Sequence, residues 1–364
     1  MPTYVIAEIG TGHGGDIDRA GELIVAARDA GADCAKFQCV FASEIVHPNC
    51  GFIDLPGGKT RIYDRFRALE RPASFYADLK HLCSEAKIDF LCTVFGGRSA
   101  RLVESLVPAR HKIASPETNH EELLETVNSF GRPVILSTGV TRIGDIEQAL
   151  DLLDSIETTV LHCVTAYPAR EEDYNLRVIP LLHDLLGVPV GVSDHTEHPS
   201  LIPGLAVALG ATTVEKHFTL DRSGAGLDDP IALDPAMFAE LSATVRRIDA
   251  LREDSQADVQ EQVIEEFRAR YGDERVAAVL GTGVKHLGAD EAAHYRSTRR
   301  SLLATRDLTV GHVLQPGDLA ALRSESLPPG VDPSHLRDLI GATVRTPVPN
   351  GHGIEWRHLL EMKP

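Results

Sequence analysis

A rhythm that repeats from residue 3 to about 250 constrains this chain more than any other feature. Eight short apolar runs alternate with longer stretches. The runs are TYVIAEIG, CAKFQCV, DFLCTVF, HKIAS, PVILSTG, TVLHCVTAYP, VPVGVSDHT and TTVEKHFT. Between them apolar residues recur at three- and four-residue steps, as in DRAGELIVAARDA and SLIPGLAVALG, the spacing of amphipathic helices. Strands that read as continuous apolar runs suit a parallel sheet covered on both faces. Eight βα units in this length predict an α/β fold of the TIM (β/α)8 barrel type. A doubly wound sheet is the competing architecture, and a glycine-rich turn after the first strand would favour it. GTGHGGD does supply Gly10, Gly12 and Gly15 at GxGxxG spacing. The acidic residue that a dinucleotide site needs at the end of the second strand is missing, because that strand ends in Lys36, Phe37 and Gln38.

The polar residues of these runs fall toward their C-terminal ends: Glu8; Lys36 and Gln38; Thr93; Lys112 and Ser115; Ser137 and Thr138; Thr165 and Tyr167; Ser193, Asp194 and His195; Glu215, Lys216 and His217. Any one of them could be the polar start of a loop. Eight in register predict a site, because the C-terminal strand ends of a barrel converge on one face where active sites are built.

Lys plus Arg is 36 against 53 for Asp plus Glu, a net charge of −17. That balance argues against nucleic-acid and anionic-membrane partners, which want basic faces. Small anionic substrates stay possible if a few lysines reverse the field locally. No run approaches the length of a membrane span, and the N-terminus has no signal-peptide pattern. The six cysteines, Cys34, Cys39, Cys50, Cys83, Cys92 and Cys163, form no CxxC pair. They read as buried reduced thiols, which places the protein in the cytoplasm.

The barrel is expected to occupy residues 1–250. Residues 251–297 follow as a linker whose charged insert, 251–276, reads as a solvated helix or linker poor in core residues. From about 298 to 364 the texture changes to short β-like alternation and turns, as in RRSLLATRDLTVGHVLQPGDLAAL, a small second domain.

The segments AEIGTGHGGD, AKFQ, TVF, KIASPE, ILSTG, LHCVTAYPA, NLR, GVSDHT and EKHFTLDR occur in this order. Together they resemble the sialic acid synthase family, the N-acetylneuraminate synthases and their legionaminic and pseudaminic acid relatives. The tail resembles the antifreeze-like, or SAF, domain that follows the barrel in that family. The resemblance implies condensation of phosphoenolpyruvate with an N-acylated aldose, N-acetylmannosamine by default, to give a nonulosonic acid and phosphate. It implies a divalent metal, most often manganese, with magnesium or cobalt as substitutes. It also implies a homodimer in which each SAF domain caps the partner's barrel.

Residue by residue, His195 and His217 match the family's metal ligands. Their strands are predicted neighbours, so both imidazoles can reach one ion. Lys36 and Lys112 match the anion-binding lysines for phosphoenolpyruvate. Thr93, Ser115, Ser137, Thr165 and Ser193 match positions that complete that pocket. Glu8 and Glu117 are the candidate acid/base residues. Gln38, Tyr167 and Asp228 match positions that face the sugar.

The chain departs from the family pattern in four places. Gly12 stands where Asn usually precedes His13. The GPDH motif reads Gly226-Leu227-Asp228-Asp229, so its histidine is lost. The 251–276 insert is extra. In the SAF domain the expected arginine turn reads RSESLPPGVDP, leaving Arg323 as the candidate replacement. Three of these changes touch the sugar pocket or its cap, which makes the same chemistry on a different aldose, in a surface-glycan or antibiotic sugar pathway, an alternative. A metal-dependent aldolase or a related three-deoxy-sugar-acid synthase on the same barrel, and a non-catalytic binding barrel, are the others. The SAF tail argues against the first, and the intact Glu8, Lys36, Lys112, His195 and His217 argue against the second.

Overall fold

The computed structural model describes residues 2–55, 58–224, 226, 228–252 and 256–360. Eight strands run parallel in a closed barrel: β1 Tyr4–Gly10, β2 Cys34–Gln38, β3 Asp89–Val94, β4 His111–Ile113, β5 Val134–Ser137, β6 Thr158–Cys163, β7 Val190–Asp194 and β8 Thr213–His217. β8 closes on β1 with Glu8 opposite His217. The expected (β/α)8 barrel is the observed fold, and each apolar run is one of its strands.

Strand side chains alternate faces at period two, and here the two faces do different work. The outward set, which includes Val5, Ala7, Ala35, Phe37, Phe90, Val134, Leu136, Val160, Val192 and Val214, joins one core with the surrounding helices. The inward set begins at the N-terminal end with a separate apolar plug of Ile6, Cys34, Leu91, Ile135 and Leu161. Two residues further along each strand the inward positions become polar: Glu8, Lys36, Thr93, Ser137 and Cys163. The plug seals the floor, so a polar layer above it can be buried yet face only the barrel mouth.

The glycine-rich turn after β1 is not a phosphate loop. Asp16 caps the helix Ile17–Asp29, its carboxylate accepting from the backbone N–H of Asp18 and Arg19. A carboxylate already fills the place a pyrophosphate would need.

The stretch 251–276 differs from its expectation. Residues 253–255 lie outside the described residues. The helices Gln256–Tyr271 and Asp273–Leu280 pack on the barrel and bury Val259, Val263, Phe267 and Val276. Val259, Val263 and Phe267 are spaced by four, so a sparse set of apolar residues still makes one continuous stripe. Gly204 leaves room for Phe267, whose Cζ would lie 2.4 Å from any added Cβ.

The helix Ala289–Thr298 leads into the small C-terminal domain. There β9 (Arg300–Ala304) pairs antiparallel with β10 (Leu319–Arg323). A compact core of Leu302, Leu308, Leu314, Leu339, Val344, Val348 and Ile354 holds its turns together.

Candidate active site

The polar layer of the barrel is a chain of charges. Lys36 Nζ lies 2.7 Å from Glu215 Oε2 and 3.3 Å from Glu8 Oε2. Lys112 Nζ stands 3.9 Å from the same Glu215 oxygen and donates to Ser137 Oγ at 2.7 Å. Ser193 Oγ donates to Glu215 Oε1 at 2.9 Å, and Gln38 Nε2 donates to Glu8 Oε1 at 2.7 Å. All four charged groups are buried. Burial pushes the Lys112 ammonium down, Glu215 offsets part of that and Lys36 adds to it, leaving its pKa at about 8. Burial alone would raise Glu215, but Lys112 and Lys36 overcome it and hold its pKa at about 2. Burial also opposes the charge on Lys36, yet Glu215 and Glu8 together raise its pKa.

Beside the lysines the chain leaves a small cradle. Gly139 N donates to Ser115 Oγ at 2.9 Å. A Cβ at Gly139 would lie 2.1 Å from Thr165 Oγ1 and 3.1 Å from Ser115 Oγ, so only glycine fits. The Thr93 and Thr165 hydroxyls are buried and make no hydrogen bond. Buried hydroxyls of this kind are costly unless a ligand completes them.

On the other side of the mouth, the rings of His195 and His217 have centroids 5.4 Å apart. Tyr167 stacks on His195 at 4.3 Å. Asp228 Oδ2 is 3.6 Å from His217 Nδ1. Burial lowers both histidine pKa values, which keeps both rings neutral. His195 Nδ1 donates to the Val164 carbonyl at 2.8 Å, so Nε2 keeps its lone pair. Two neutral imidazoles form a donor set that fits a divalent transition ion. No group of three or more His, Cys, Asp or Glu gathers to hold a metal among the described residues.

The crowded stretch GVSDHTEHP owes its polar residues to two faces. Ser193 and His195 serve the mouth. Asp194 points the other way and pairs with buried Lys216 at 2.6 Å. Lys216 also donates to Thr196 O at 2.5 Å, and Asp194 accepts from Thr196 N at 2.8 Å, which fixes the loop that carries His195. His198 Nδ1 accepts from the N–H groups of Ser200 and Leu201 at the start of the next helix.

Comparison with known proteins identifies the family. The NeuB family model matches residues 23–257, and the SAF domain model matches residues 299–360. The chain belongs to the NeuB family. It is similar to the spore coat polysaccharide biosynthesis protein SpsE of Bacillus subtilis, with 34% identity over 99% of this chain and 94% of that one. The crystal structure of that SpsE protein superposes with a TM-score of 0.82 at 32% identity, covering 100% of this chain and 96% of that chain. It is also similar to the N,N'-diacetyllegionaminic acid synthase of Legionella pneumophila, at 30% identity over 99% of this chain and 95% of that one.

Within this NeuB-family enzyme, two expected site residues lie elsewhere. Glu117 and Arg323 are paired with each other at 2.5 Å. Arg300, at the start of β9, shares the same carboxylate. Arg300 also donates to the carbonyls of Glu44, Ile45, Ala321 and Phe95. Burial alone would raise Glu117, but Arg300 and then Arg323 hold it well below the usual carboxylate range. A carboxylate kept ionised by two guanidiniums is a poor proton carrier. The geometry therefore makes Glu117 an interdomain anchor, and Arg323 joins that anchor in place of a sugar.

Other residues carry weight that the sequence reading did not assign. Glu215 links both lysines, and its period-two spacing from His217 was the available signal. Lys285 Nζ donates to Thr138 O at 3.2 Å, at the rim beside Gly139. Arg300 gave no signal, because its partners are distant in sequence. Asp229, standing where the family motif has histidine, accepts from Thr219 Oγ1 at 2.8 Å and Gly226 N at 2.7 Å.

Proposed function

We propose that this enzyme condenses phosphoenolpyruvate with an N-acylated aldose, by default N-acetylmannosamine, to give a nonulosonic acid and phosphate. One observation carries the reading: two buried lysines meet on one carboxylate beside a glycine cradle at the barrel mouth. A protein of net charge −17 keeps that arrangement for a small anion. Lys36 and Lys112 neutralise the phosphate and carboxylate. Ser115, Ser137 and Ser193 and the unpartnered Thr93 and Thr165 hydroxyls complete the pocket. His195 and His217 would hold a divalent ion, manganese or in its place magnesium or cobalt, whose chemistry when bound is Lewis-acid polarisation of the aldehyde.

The methylene carbon of phosphoenolpyruvate bonds to the aldehyde carbon, and the aldehyde oxygen takes a proton. Water adds to the carbon that carries the phosphate, and its C–O bond then breaks to release phosphate. Glu8 is the group proposed to move the proton. It sits opposite His217 in the barrel, and Gln38 fixes its orientation. Tyr167, Asp228 and Gln38 would face the sugar. Because Asp229 is spent on its own loop and Arg323 on Glu117, a different aldose is the second reading. A homodimer and a reducing, cytoplasmic setting belong to the same proposal, the latter resting on six buried free thiols.

Phosphate release from phosphoenolpyruvate, with manganese and a panel of aldoses that includes N-acetylmannosamine, tests the reading. Release should need one aldose and should stop with a chelator. No release from folded, metal-loaded protein across the panel would sink it. Activity on N-acetylmannosamine equal to that on the other aldoses would remove the second reading.

A further inference from the structure

The helix Ala289–Thr298, which joins barrel to SAF domain, sends one carboxylate back into the barrel rim. Glu291 is 1% exposed. Its Oε1 accepts from Val140 N at 2.7 Å and from Thr165 N at 2.8 Å. Its Oε2 accepts from Gly288 N at 3.1 Å. The first two donors lie on different loops, one after β5 and one after β6. Val140 follows Gly139 and holds φ at 44°, a left-handed conformation that a β-branched residue adopts only under constraint.

Burying a carboxylate is costly unless several donors satisfy it. Capping the start of a helix needs only the Gly288 contact. Reaching across to two barrel loops has another consequence. Those loops carry the cradle: Gly139 bonded to Ser115, with Thr165 packed against its α-carbon. Ser137, the partner of Lys112, ends β5 two residues before Gly139. One oxygen of Glu291 therefore sets the distance between the two walls of the cradle.

We propose that Glu291 is a positioning residue for the anion pocket: it holds the β5 and β6 loops at the separation that phosphoenolpyruvate binding requires. It touches no substrate and acts through Val140 and Thr165. The inference rests on the functional reading above, and it adds a link to the second domain. The same helix is tied to the barrel again by Tyr295 and Arg299, both on Asp145 at 2.8 and 2.9 Å. Two residues past its end stands Arg300, which anchors the SAF domain on Glu117. The linking helix thus carries the pocket clamp at one end and the domain anchor at the other.

The test compares Glu291→Ala and Glu291→Gln with Asp290→Ala, an exposed neighbour outside the machinery. Glu291→Ala should raise the KM for phosphoenolpyruvate about tenfold or more, as expected when binding common to ground and transition state is lost. Its kcat and its KM for the aldose should change far less. Glu291→Gln should recover part of the loss, since its amide oxygen can still accept from both loops while its NH2 faces the Gly288 N–H. Asp290→Ala should behave as wild type. Hydrogen exchange at the Val140 and Thr165 amides should speed up strongly in Glu291→Ala and measurably but less in Glu291→Gln, whose neutral amide oxygen is the weaker acceptor. If Glu291→Ala fails to fold, Glu291→Gln and its exchange rates carry the test alone. A lower Tm with unchanged phosphoenolpyruvate constants would reduce Glu291 to a helix cap and overturn the proposal. Wild-type protein that neither binds nor turns over phosphoenolpyruvate would overturn the functional reading and this inference with it.

Discussion

Two clusters of buried charge sit near the C-terminal end of this barrel, and they are built on opposite principles. In the mouth, Lys36, Lys112, Glu8 and Glu215 share a layer with hydroxyls that have no partner. At the domain joint, every side-chain nitrogen of Arg300 has an acceptor, either Glu117 or a backbone carbonyl, while Arg323 Nε has none. The mouth uses lysines, point charges whose pKa moves with burial. The joint uses arginines, planar forks that stay charged. A buried cluster built around one fully bonded guanidinium is a fastening. One with open hydroxyls and a depressed lysine awaits a ligand. Burial alone would have put both in one class, and residue type separates them.

The comparison can be broken most severely at the mouth. Lys36→Met removes the cation that Glu215 and Glu8 share and leaves two buried carboxylates short of partners. Losing one partner of a buried charge pair with the anion costs about 3 kcal/mol or more of binding, so kcat/KM for phosphoenolpyruvate should fall at least about 100-fold. Steady-state phosphate release, with circular dichroism to establish folding, checks this. Activity within a few fold of wild type would mean that the mouth, too, is only a fastening.

Arg300→Ala should instead act on stability. It orphans Glu117 and several carbonyls, a loss on the order of 3 kcal/mol or more. The readout is denaturant unfolding together with limited proteolysis near residue 299. The SAF domain should become cleavable before the barrel unfolds. If cleavage and unfolding stay as in wild type, the joint is not what holds the domain.

How much of this was legible before the structure follows from distance along the chain. The barrel was legible because strand runs and helix stripes are local patterns with periods of 2 and 3.6. The mouth residues were legible for the same reason, since strand ends announce themselves and the family resemblance supplied their roles. Glu117 was read through the family resemblance as a candidate acid/base residue. Its actual partners lie in β9 and β10, where no local pattern points. The 251–276 stretch was misjudged because its charge hid the four-residue spacing of Val259, Val263 and Phe267. Glu291 had no signal at all, since its contacts are backbone amides on two loops of another part of the chain.

A smaller change sharpens the contrast between a ligand cradle and mere packing. Gly139→Ala would press a methyl group on Thr165 Oγ1 and Ser115 Oγ. Overpacking costs about 1–3 kcal/mol of stability, and because the displaced Thr165 and Ser115 line the pocket, the phosphoenolpyruvate affinity should also fall, about tenfold. Calorimetric titration of metal-loaded protein measures it. Unchanged affinity would place the anion elsewhere in the mouth.

The gentlest test uses no mutation. With Lys112 at about 8, the free mouth loses a positive charge just above neutral pH. Phosphoenolpyruvate favours the protonated lysine. Its Kd should therefore be flat below pH 8 and rise above it, by up to about tenfold per pH unit. Proton uptake on binding, read by calorimetry in buffers of different ionisation enthalpy, should peak above pH 8. Loss of fold cannot mimic this through Lys112. Its pKa is lower in the folded state than the ordinary 10.5, so the unfolded chain holds the proton more tightly. Between about 8 and 10.5 that difference adds stability as pH rises. Weaker binding together with an unchanged or higher Tm is the signature expected of a lysine in the ligand pocket. A Kd independent of pH from 7 to 9.5 would remove Lys112 from the anion's shell and leave Lys36 to hold it.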